Sequence, residues 1–63
     1  MSETIEGNTI RAEEISYDFI RHIWEVVYTT SIGTHIFRTR EAGENATLQE
    51  VFNMLIQTLK ERK

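Results

Sequence analysis

Residues 48–59 constrain the fold more than any other part of the chain. Leu48, Val51, Phe52, Leu55, Ile56 and Leu59 recur at helical spacing and, with Met54, fill one side of a cylinder. Gln49, Glu50, Asn53, Gln57, Lys60 and Glu61 fill the other. Thr47-Leu48-Gln49-Glu50 fits a capping box, in which the threonine hydroxyl accepts an amide three residues on and the glutamate reaches back. Lys60, Arg62 and Lys63 follow at the C-terminal end, where positive charge suits the helix dipole. A helix this amphipathic needs an apolar surface to cover it, and the preceding residues must supply that surface.

The chain has 63 residues, enough for one domain with a marginal core. It has no cysteine, so neither a disulfide nor a thiolate zinc site can reinforce it. Self-association is the remaining way to bury surplus apolar surface. At 40% hydrophobic and 27% charged the composition is that of an ordinary globular domain. No apolar run is long enough to span a membrane, and the acidic start Met1–Glu6 lacks the layout of a secretory signal. The expected address is the cytoplasm, and the glycosylation-like Asn45-Ala46-Thr47 is read as chance.

Residues 24–40 predict a β-hairpin. Val26 to Thr30 and Thr34 to Thr39 are rich in β-branched and aromatic residues. Ser31-Ile32-Gly33 between them fits a three-residue loop with a left-handed glycine, setting Thr30 opposite Thr34, Tyr28 opposite Ile36 and Val27 opposite Phe37. Residues 10–24 support two readings. Ala12, Ile15, Phe19, Ile20 and Ile23 lie on one helical arc opposite Arg11, Glu14, Asp18, Arg21, His22 and Glu25, with Thr9 as N-cap. Ile15, Tyr17 and Phe19 also alternate with Ser16 and Asp18, as in a strand. The helical reading is favoured, because no Gly, Pro or Asn marks a tight turn between Ile10 and Thr30. The expected fold is α+β: an antiparallel hairpin, or a three-stranded meander, packed against the C-terminal helix. Residues 1–8, ending at Gly7-Asn8, are expected as a mobile arm or a short edge strand before a single domain over 9–63.

The chemistry-bearing residues are sparse. No frame surrounds Ser16 or Ser31 as a nucleophile, and Asp18 with His22 would be a surface i,i+4 pair on a helix. His22 and His35 lie in different elements and lack the ligand set of a metal site. Gly7, Gly33 and Gly43 are isolated turn residues that form no phosphate loop. No catalytic residue, metal or cofactor is expected, and the chain is read as non-enzymatic.

Two binding readings follow. Tyr17, Trp24 and Tyr28 are amphipathic aromatics of the kind enriched at interfaces, which suggests protein contact by a small interaction or regulatory protein that forms a homodimer, with edge strand Thr34–Arg40 pairing with its mate across the axis. The alternative is nucleic-acid binding by Arg38, Arg40, Lys60, Arg62 and Lys63, against a formal net charge of −3. Alternation places Phe37 on the face opposite Arg38 and Arg40, so stacking and charge point apart and Phe37 is expected in the core.

Overall fold

Residues 10–24 are two strand segments joined by a turn and not a helix. A computed structural model describes residues 1–61. Its elements are β1 (Ser2–Ile5), β2 (Asn8–Asp18), β3 (Ile23–Thr30), β4 (Gly33–Thr39) and α1 (Leu48–Glu61). The strands form one antiparallel sheet in the order β1-β2-β3-β4, so each strand pairs with its neighbour in the chain. The fold is therefore α+β with the expected C-terminal helix, and its four strands exceed the two or three expected.

A β-bulge explains why residues 10–24 resembled a helix. Pairing of β2 with β3 runs Arg11 with Thr29 and Ala12 with Tyr28, then resumes one residue out of step with Glu14 against Val27 and Ile15 against Val26. Glu13 is the extra residue. Side chains alternate along a strand, so an inserted residue switches which parity faces the core. Ile10 and Ala12 point inward before the bulge and Ile15 and Tyr17 after it. The extra residue sets Ala12 and Ile15 three positions apart, and Phe19 of the following turn lies four further on, which together give the intervals of one helical face.

The loops carry similar substitutions of side-chain chemistry for the usual turn residues. Glu6 and Gly7 join β1 to β2 and both have positive φ (50° and 85°), the signature of a type I′ turn. Phe19 to His22 join β2 to β3. There the Asp18 carboxylate accepts the backbone N–H of Ile20 (2.9 Å) and of Arg21 (3.1 Å), and His22 takes the left-handed conformation at φ 57°. An Asx turn and a left-handed histidine thus replace the missing glycine. The β3–β4 hairpin forms as expected but is closed by Ser31 and Ile32 alone. Thr30 pairs with Gly33, Thr29 with Thr34, Tyr28 with His35, Val27 with Ile36 and Val26 with Phe37, one residue from the expected register. Gly33, at φ 132°, belongs to the strand instead of the loop.

One face of the sheet is covered. Ile10, Trp24, Val26 and Tyr28 meet Val51, Phe52, Leu55 and Ile56 of α1, and burial of each such aliphatic or phenyl side chain contributes about 1.5–3 kcal/mol. Thr47 caps the helix, its hydroxyl accepting the Glu50 amide at 3.1 Å. The long loop ahead of α1 is fastened by Trp24, whose indole N–H donates to the Gly43 carbonyl at 2.9 Å. That carbonyl also accepts the Ala46 amide at 3.0 Å. α1 lies over β2 and β3, which leaves Phe37 of β4 at the margin of the core. The opposite face of the sheet carries charged and hydroxyl side chains around Val27 and Ile36, including the ion pairs Arg11–Glu13 and Arg38–Glu25.

Candidate functional site

The most conspicuous surface feature is the β2–β3 tip. Phe19 is 74% exposed and Ile20 91% exposed, although both are large apolar side chains. The tip is built as a fixed object. Asp18 holds the turn through two amides, and Arg21 Nε stands 4.0 Å from the same carboxylate. Behind it the Tyr17 ring meets Phe19 edge-on at 5.0 Å and leans on Trp24 at 5.2 Å. The Tyr17 hydroxyl shares a 3.1 Å hydrogen bond with His22 Nδ1. An aromatic ladder therefore runs from the buried Trp24 through Tyr17 to the exposed Phe19. The anticipated Asp18–His22 pair does not form, because a strand and turn separate what a helix would have stacked; Asp18 serves the turn and His22 serves Tyr17.

The three aromatics expected at an interface occupy different environments. Trp24 is 6% exposed and Tyr28 7% exposed, and both belong to the core. Tyr17 is half-buried at the base of the tip. Phe19 and Ile20 escaped attention because a helical arc would have buried them. The available signal was Asp18, whose carboxylate can close a turn without glycine.

The basic residues do not form a common surface among the described residues. Arg38 lies on the open face of the sheet, 2.8 Å from Glu25. Lys60 lies on α1, 3.6 Å from Glu3. Arg40 is exposed beyond the end of β4. Arg62 and Lys63 lie outside the described residues.

A shallow cavity of about 280 Å³ opens at the other end of the sheet, lined by Asn8, Ile10, Tyr28, Thr30, His35 and Leu59 among others. Thr30 Oγ1 and His35 Nε2 are 3.2 Å apart there, a hydroxyl–imidazole spacing compatible with a nucleophile and base. The Thr30 hydroxyl also accepts the Ile32 amide at 3.2 Å, and the His35 ring stacks on Tyr28 at 5.3 Å. No carboxylate hydrogen-bonds to His35 among the described residues, so no third group orients it. The pair accounts for the local structure of the hairpin end. No group of three or more His, Asp or Glu among the described residues is placed to hold a metal ion, and no described helix is long and apolar enough to cross a membrane. Comparison with known proteins gave no matching family model, no similar curated protein and no similar solved structure.

Proposed function

We propose that this is a non-enzymatic, cytoplasmic binding protein whose β2–β3 tip inserts into an apolar cleft of a partner protein. The observation that carries the reading is the pair Phe19 and Ile20, held out in water on a tightly fixed turn. Leaving such side chains exposed forgoes burial energy, and anchors of this kind dominate interfaces when they fill a pocket on the partner. Preorganisation strengthens the argument. The turn is already ordered by Asp18 and the aromatic ladder, so docking would cost little further conformational entropy. Nucleic acid is the less favoured partner, since four of the five described Lys and Arg side chains stand within 4.0 Å of a carboxylate and they lie on different elements.

A photo-crosslinking amino acid placed at position 20 in cells should capture a discrete partner, while the same group at Asn53 on the exposed side of α1 should not. The double substitution Phe19→Ser, Ile20→Ser should abolish capture from a crosslinker at position 21 and leave thermal stability within about 0.5 kcal/mol, as for other exposed positions. Equal capture at positions 20 and 53 would overturn the reading.

A further inference from the structure

We infer that β4 pairs with β4 of a second copy, forming a continuous sheet across a two-fold axis at Ile36; the inference is independent of the tip. Open strand edges recruit other strands unless shortened, bulged or charged. β1 is short, and the part of β2 beyond it carries the bulge with Glu13, Glu14 and Asp18. β4 has none of these protections. Gly33–Thr39 is regular, and its one charge, Arg38, is matched by Glu25 at 2.8 Å.

The hydrogen-bonding groups select the register. The two-residue loop closes on a hydrogen-bonded pair, Thr30 with Gly33, and such pairs alternate along an antiparallel ladder. His35 and Phe37 are therefore bonded to β3, while Thr34, Ile36 and Arg38 direct their N–H and C=O groups away from the sheet. Antiparallel pairing with Ile36 opposite its own mate places Thr34 opposite Arg38 of the other copy. Every outward group of these residues then finds a partner. A shift of the axis along the strand leaves some of them unpaired.

The side chains agree with that register. On the open face, Val27 pairs with Ile36 within one copy. The axis extends this into an apolar row, Val27 and Ile36 followed by Ile36 and Val27 of the second copy. Ile36 is 53% exposed in the single chain and would be covered. No like charges face each other, because each Arg38 meets a threonine. On the helix side, His35 of one copy meets Phe37 of the other. A groove of about 380 Å³ lies there between α1 and β4, lined by Phe37 and Met54 together with the polar Gln57, Thr58, Glu41 and Glu61, and the second copy would stand beside it.

Light scattering behind a sizing column at micromolar concentration should report twice the chain mass of 7.4 kDa. Ile36→Pro removes only an N–H that points away from β3, so it should return the single-chain mass with the fold retained. The chain has no cysteine, which makes crosslinking unambiguous. Ile36→Cys should link to its mate under mild oxidation, because facing Cα atoms in this pairing stand about 5.5 Å apart. Thr34→Cys should not, its mate lying about 14 Å along the strand. A single-chain mass for the unaltered protein, an Ile36→Pro variant that keeps the double mass, or linking at Thr34 equal to that at Ile36 would each overturn the inference. Because Phe19→Ser, Ile20→Ser leaves β4 untouched, that variant should keep the double mass.

Discussion

Trp24→Ala should unfold most of the protein at 25 °C. The side chain is 6% exposed and spans the join between the sheet and the loop ahead of α1. Truncating a buried tryptophan costs about 3–5 kcal/mol through lost burial and the cavity left behind. The substitution also removes the donor to the Gly43 carbonyl and the support behind Tyr17. A domain this small has only a few kcal/mol of total stability to lose. Trp24→Phe separates the contributions: it keeps most of the apolar contact and loses the hydrogen bond, so it should cost less, about 1–2 kcal/mol. Urea titration followed by far-UV circular dichroism checks both. Near-native stability of Trp24→Ala would mean that the indole does not anchor the loop.

The second large effect is a contrast between two single-residue deletions in β2. Deleting Glu13 removes the extra residue of the bulge and leaves Ile10, Ala12, Ile15 and Tyr17 on one face, so stability should change by less than about 1 kcal/mol. Deleting Ser16 breaks the pattern. Either Tyr17 turns to the solvent, or the bulge is consumed and Glu14 turns inward while Ile15 turns out. A one-residue slip of this kind reverses the facing of the side chains beyond it. The loss should be about 2–4 kcal/mol from misplaced apolar and acidic groups, enough to leave the deletion variant largely unfolded. Equal tolerance of both deletions would remove the bulge from the account.

The same bulge marks the limit of what could be read from the amino-acid sequence. Residues 48–61 were legible because helix periodicity, a capping threonine and terminal charge all agree there. The β3–β4 hairpin was legible from its β-branched and aromatic composition, but its register was not. Gly33 suggested a left-handed loop residue, whereas its unusual φ is accommodated at the first position of the strand. β2 was misread because the bulge puts Ala12 and Ile15 three residues apart and Phe19, four residues on, belongs to the turn and not to the buried face. The tip was hidden by that error and by its construction from Asp18 and His22, which do without the glycine or proline that usually marks a turn. Sequence-level reasoning also placed Trp24 and Tyr28 at an interface on account of residue type, when residue type could not distinguish an interface from a small core that needs large side chains.

The proposed docking of the tip depends on 10–24 being two paired strands with the tip between them. Proton NMR tests this directly. Tyr17 and Trp24 face each other in a non-hydrogen-bonded pair, where α-protons of opposite residues approach closely. A strong cross-strand contact between those two α-protons is the expected result. Its absence, with sequential amide contacts and three-residue spacing through 10–24, would show a helix there and contradict the account.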